Sequence, residues 1–125
     1  MNPKGDTVLV IEDDPTIQLS LQILLENEGY VVHQALTGRQ ALDKLSPLDP
    51  KNFPCLVLLD LMLPDMCGED LLAGVLSSEK LIELPVVIIS AATDAPQIAM
   101  KYKKELLRKP FELDALLEVV AKSCE

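Results

Sequence analysis

Five polar side chains close apolar stretches of this sequence, and their types point to one chemistry. Glu12 and Asp13 follow the run TVLVI (residues 7–11), Asp60 follows LVLL (56–59), Ser90 follows VVII (86–89), and Lys109 stands just beyond Leu106 and Leu107. Three carboxylates drawn together repel one another and raise each other's pKa unless a cation joins them. An all-oxygen set of this kind suits Mg2+, which keeps several waters and takes one or two carboxylates plus phosphate oxygens. An Asp at the centre of such a site can act as a nucleophile toward phosphorus and form an acyl phosphate. The metal and the Lys109 ammonium would neutralise a transferring phosphoryl group, and Ser90 would donate to one of its oxygens.

For these groups to meet, the elements that carry them must end at one edge. Thr7–Ile11 is β-branched, apolar and of strand length, and Pro15 after it suits the first turn of a helix. Ile17, Leu21, Leu24 and Leu25 then form one apolar helical face that stops at Gly29. The pattern predicts a strand over 30–35, a helix over 37–45, a polar loop with three prolines over 47–54, and the most apolar strand over 56–59. A helix over 68–80 follows, then a strand over 86–89, a short helix over 95–103, a minimal strand at Leu106–Leu107 and a last helix carrying Leu113, Leu116, Leu117 and Val120. Strands one, three and four are apolar nearly throughout, as expected when helices cover both faces of a parallel sheet. The fold class read from this is α/β: a doubly wound, five-stranded parallel sheet, whose ligands bind beyond the carboxyl ends of the strands.

Composition narrows the function. The 125 residues suffice for one domain, 1–125, and 49% of them are hydrophobic, which excludes disorder. Eleven basic against twenty acidic side chains leave a net charge of −9, which argues against direct nucleic-acid binding. The few aromatics, Tyr30, Phe53, Tyr102 and Phe111, offer no stacking platform for single strands. No segment reaches the roughly 18 apolar residues of a membrane span. Residues 1–6 carry no apolar signal core, and Cys55, Cys67 and Cys124 are an odd number without metal-ligand spacing. The reading is a reduced, cytoplasmic protein. Cys67 and His33 are taken as incidental and structural, and Tyr102 with Lys101, Lys103 and Lys104 as a solvated helix end.

The strings VLVIEDDP (8–15), LVLLDLMLPDMCG (56–68), VVIISAA (86–92) and RKPF (108–111), in this order at strand ends, resemble the receiver domain of bacterial two-component response regulators over essentially the whole chain. The resemblance implies the flavodoxin-like strand order 2-1-3-4-5. It makes Asp60 the phosphoacceptor and Asp13 a direct Mg2+ ligand, with Glu12 acting through water and the Met62 backbone carbonyl as a further ligand. Lys109 would bind the phosphoryl group and precede a cis bond to Pro110. Ser90 takes the place of the family's hydroxyl switch residue, and Asp14 lies one position beyond the acidic pair. The implied partners are a histidine kinase or histidine phosphotransfer protein and an unidentified downstream protein. Met62 and Ala92 flank the site, and neither can position an attacking water, so slow self-hydrolysis of the acyl phosphate is expected.

Two departures concern output. The position three before the lysine, usually an aromatic switch, is Leu106, and the family's Gly-Ala pair is replaced by Tyr102-Lys103-Lys104-Glu105 with a shortened fourth helix. Both changes fall on the face of the fourth helix, fifth strand and fifth helix that such domains use for output. Three other readings stand beside the switch: a pseudo-receiver that ignores phosphorylation, a receiver taken from a larger regulator or hybrid kinase, and an Asp-nucleophile phosphohydrolase. The last, resembling the haloacid dehalogenase superfamily, wants a second Asp where this chain has Met62.

Overall fold

The computed structural model describes residues 7–124, so the stretch Met1–Asp6, read above for a targeting signal, lies outside the described residues. Five strands and five helices alternate: β1 (Thr7–Ile11), α1 (Pro15–Asn27), β2 (Val31–Ala35), α2 (Gly38–Leu45), β3 (Leu56–Asp60), α3 (Gly68–Leu76), β4 (Val86–Ser90), α4 (Ala95–Tyr102), β5 (Leu106–Arg108) and α5 (Leu113–Cys124). All pairings are parallel and the strand order is β2-β1-β3-β4-β5, as the sequence implied.

Alternation along each central strand divides the core in two. Leu9, Ile11, Val57, Leu59, Val86 and Ile88 face Ala41 and Leu45 of α2, Leu71, Leu72 and Val75 of α3, and Ile98 of α4. Val8, Val10, Leu56, Leu58, Val87 and Ile89 face Leu21 and Leu25 of α1 and Leu116, Val119 and Val120 of α5. Each such side chain contributes about 1.5–3 kcal/mol on burial, and a strand buried on both faces has no room for a polar residue except at its ends.

Helix α3 ends four residues earlier than its sequence suggested, at Leu76 rather than Lys80. The Ser77 hydroxyl donates to the Ala73 carbonyl (2.8 Å) while the Ser77 N–H takes the same acceptor (3.0 Å), and Leu81 and Ile82 then turn back on the Ser78 carbonyl. Serines that compete for backbone acceptors in this way stop a helix whose apolar periodicity would carry it further.

The expectation of reduced cysteines is corrected. Cys55, just before β3, and Cys124, at the end of α5, form a disulfide across 69 positions, with Cα atoms 4.9 Å apart; Cys67 is free and exposed. Counting cysteines could not find this pair, because only the packing of α5 under β3 brings them together. A bridge closing a loop of this length stabilises by roughly 4 kcal/mol through the unfolded chain. Alkylation of the denatured, unreduced protein is therefore expected to label one thiol and, after reduction, three, with a clear fall in unfolding midpoint on reduction; three thiols labelled without reductant would refute the bridge.

Candidate functional site

The site follows from where the strands stop. Ile11 of β1 pairs with Ala35 of β2 and Leu59 of β3, so the next residue of each chain segment brings Glu12 beside Asp60. Asp14 then turns the chain: its side chain caps α1 by accepting from the Thr16 N–H (2.8 Å), and Pro15 occupies the first turn. That cap explains why Asp14 stays outside the acidic cluster. Beyond Asp60, the 61–68 loop is closed by an antiparallel bridge between Met62 and Cys67 and by the Gly68 N–H donating to the Leu61 carbonyl (2.8 Å). Gly68 is required there, since a Cβ would lie 2.5 Å from Leu61 Cα and 2.6 Å from the Asp60 carbonyl oxygen, both backbone atoms that cannot move aside.

Glu12, Asp13 and Asp60 bring carboxylate oxygens within 4.8 Å of one another. Glu12 and Asp60 are buried and Asp13 is exposed. Lys109, delivered by the end of β5 and followed by a cis bond to Pro110, is half-buried; its Nζ donates to Glu12 Oε1 and to Asp60 Oδ2 (3.0 Å). Asp60 Oδ1 accepts from the Met62 N–H (3.0 Å), and Glu12 Oε2 from the Asp14 N–H (3.1 Å). Glu12, Asp13, Asp60, Met62 and Lys109 line one open cleft. Ser90 ends β4 with its hydroxyl buried and accepting from the Ala92 N–H (3.1 Å), while its carbonyl receives the Lys109 N–H (3.0 Å). Leu106 is half-buried and packs into the core on the α2–α3–α4 side.

The electrostatics follow from this crowding. Burial pushes Glu12 up to about 7 against the bonds from Lys109 and the Asp14 N–H, and the charge of Asp60 adds to the rise. Burial also penalises the Lys109 ammonium, but its bonds with Glu12 and Asp60 outweigh that and hold it above the ordinary lysine value. Three carboxylates face one ammonium, and Asp13 has no protein partner among the described residues. This excess of oxygen donors on one open side is a set that fits a hard divalent cation.

Three features escaped the sequence reading. Gln18 is buried on α1 and donates into the β1 end; a polar residue between Ile17 and Leu21 on an apolar face was the available signal. Asp65 caps α2 from the 61–68 loop, accepting from the Gly38 N–H (2.7 Å) and the Arg39 N–H (2.9 Å). The patch read as a solvated helix end is in fact a link between helices: Lys101 Nζ (3.1 Å) and the Tyr102 hydroxyl (3.0 Å) both donate to Glu69 Oε2 of α3.

An open parallel sheet whose carboxyl edge gathers an acidic cluster and a paired lysine defines the class: a doubly wound α/β domain with its site at the strand ends. Comparison with known proteins then identifies which one. Residues 8–121 match the model of the response regulator receiver domain. The chain is 38% identical over 113 residues to the transcriptional regulatory protein KdpE of Mycobacterium tuberculosis, covering 88% of this chain and 47% of that one. It is 33% identical over 123 residues to sporulation initiation phosphotransferase F of Bacillus subtilis, covering 94% and 93%. The receiver domain of a sensor histidine kinase from Pseudomonas aeruginosa, solved with a magnesium ion in its active-site cleft, shares the fold at a TM-score of 0.83 and 21% identity over 96% of this chain and 98% of that one. The chain belongs to the response regulator receiver domain family, whose members accept phosphoryl groups from histidine kinases or phosphotransfer proteins. It spans about half the length of the first curated relatives it matches.

The Asp65 cap makes a pH prediction. Its two backbone N–H bonds hold the carboxyl below its ordinary 3.8, so the stability it adds is present above that value and is lost as pH falls through the lower, folded value. Asp65→Asn is expected to unfold more easily than wild type at pH 7, and the gap should close in the most acidic part of the titration. Equal wild-type and variant unfolding curves at pH 7 would show that the cap carries no stability.

Proposed function

We propose that this chain, residues 1–125, is a single receiver domain that works as a phosphorylation-dependent switch, with Asp60 as phosphoacceptor. The observation that carries the reading is the pairing of buried Asp60 with Lys109 beside an acidic cluster with spare oxygen ligands. In this reading a carboxylate oxygen of Asp60 attacks the phosphorus of a phosphohistidine on the donor protein. The O–P bond forms as the P–N bond breaks, and the imidazole leaves with its electron pair and takes up a proton.

Asp13, Glu12, Asp60 and the Met62 carbonyl would hold Mg2+, which when bound supplies charge neutralisation for the phosphoryl oxygens. Lys109 already touches Asp60 Oδ2 and is placed to follow the phosphoryl group as negative charge builds there. The Met62 N–H keeps Oδ1 oriented. Ser90 can leave the Ala92 N–H for a phosphoryl oxygen, which would carry the signal into the turn before α4. The chain acts as acceptor and slow autophosphatase rather than as a turnover enzyme, since Met62 and Ala92 offer no group to activate water. A histidine kinase or phosphotransfer protein is the proposed donor and a protein the proposed target, with the cytoplasm, where ATP charges such kinases, as the compartment. No helix among the described residues is long and apolar enough to cross a membrane.

One observation favours a second reading, the phosphorylation-independent binding module: Leu106, packed in the core, offers no ring whose exposure a partner could read. The match to only 47% of KdpE supports a third reading, that the domain works within a longer regulator.

Incubation with acetyl phosphate and Mg2+, followed by intact mass, is expected to show the gain of one phosphoryl group, lost in Asp60→Asn and under chelation. Once donor is removed, the adduct should persist for minutes or longer. No gain under any condition would leave the binding-module reading in front, and decay within seconds would contradict the account of Met62 and Ala92.

A further inference from the structure

The acidic cluster needs a rigid support, and one buried side chain supplies it. Gln18, 2% exposed, sits in the first turns of α1 and reaches back to the carboxyl end of the sheet. Its Nε2 lies 2.8 Å from the Val10 carbonyl, 3.1 Å from the Glu12 carbonyl and 3.0 Å from the Ala35 carbonyl. The Ala35 carbonyl also accepts the Glu12 N–H (3.0 Å). One amide thus ties the carboxyl end of β1, the end of β2 and the start of α1 to a common point. The amide can only be oriented this way, because an oxygen in that place would face three carbonyl oxygens. Its own Oε1 is buried and has no partner among the described residues.

The bonds converge on Glu12. Its N–H is held by Ala35, its carbonyl by Gln18, and its carboxylate by Lys109 and the Asp14 N–H. Asp13, the exposed member of the cluster, is joined directly to that fixed carbonyl.

We propose that Gln18 is a positioning residue, which fixes the β1 carboxyl end so that Glu12 and Asp13 present their carboxylates to a divalent cation in a single geometry. This deepens the phosphoacceptor reading and rests on it for its consequence, though not for its test. Partners one step removed from a metal commonly change its affinity by about 10–100-fold when replaced.

The experiment titrates Mg2+ into wild type, Gln18→Met (equal length, no hydrogen bonds) and Gln18→Asn (same donors, shorter reach), following amide shifts by NMR, with acetyl phosphate labelling rates over the same range. Gln18→Met is expected to weaken Mg2+ by about 10-fold or more and to raise the half-saturating Mg2+ for labelling equally, while the rate at saturating Mg2+ stays near wild type. Gln18→Asn should fall between the two. Unfolding midpoints are measured alongside. A lower midpoint with unchanged Mg2+ affinity in both variants would make Gln18 merely structural and overturn the proposal. Should Gln18→Met not fold, Gln18→Asn decides alone: a weakened affinity supports the proposal and an unchanged one refutes it. Wild type that binds Mg2+ but never labels would sink the phosphoacceptor reading and leave the affinities to judge Gln18. Wild type that binds no Mg2+ would overturn both.

Discussion

Like charges held together at the edge of a sheet are the constraint on which this structure turns. Glu12, Asp13 and Asp60 crowd their oxygens into a few ångströms, and the interior behind two of them is apolar. Such an arrangement survives because each buried oxygen has a donor: Lys109 spans Glu12 and Asp60, and the Asp14 and Met62 N–H groups take the remaining sides. The rest of the architecture serves that balance. β1 and β3 must be neighbours for the acids to meet, and β5 must end level with them for the lysine to arrive. A parallel sheet with all its carboxyl ends at one edge meets both conditions at once.

Much of this was legible in the chain because burial on both faces forces strands into unbroken apolar runs. An acid in LVLLDLML or a serine after VVII therefore had to be at a strand end, and the structure places Asp60 and Ser90 there. The start of α1 was equally local and readable from Pro15, though the sequence reading did not assign its cap to Asp14. What escaped were interactions between segments far apart in sequence. Gln18 looked like one polar residue on an apolar helix, and only the converging ends of β1 and β2 show what its amide is for. Asp65 carried no signal of its own in the sequence, because the two N–H groups it caps belong to α2, more than twenty residues away. The overlong α3 was a local failure of a different kind, since hydrophobic period carries no information about a serine that turns its hydroxyl onto its own helix.

The region around α4 and β5 is the least conventional part of the chain. Leu106 sits where relatives of the family present an aromatic, and it is packed rather than poised. At the same end of the molecule Glu69 accepts from both Lys101 and Tyr102, so α4 is fastened to α3 at its carboxyl end. Ser90 and Ala92 lead into the other end of α4. That end is held as well, by the buried Ala95 and by Arg108 donating to the Ala92 carbonyl (3.4 Å), while Met100 on the same helix is exposed.

The Cys55–Cys124 bond divides the molecule in a way the sheet order hides. Everything from the foot of β3 to the end of α5, including Asp60, Ser90 and Lys109, lies within one covalent ring, while Glu12 and Asp13 belong to the segment outside it. A load applied at Cys124 reaches the foot of the Asp60 strand through sulfur, without first peeling α5 from the sheet. The seam between β1 and the ring is held by strand pairing and packing rather than by sulfur, and opening it parts Glu12 and Asp13 from Asp60 while leaving the ring itself closed.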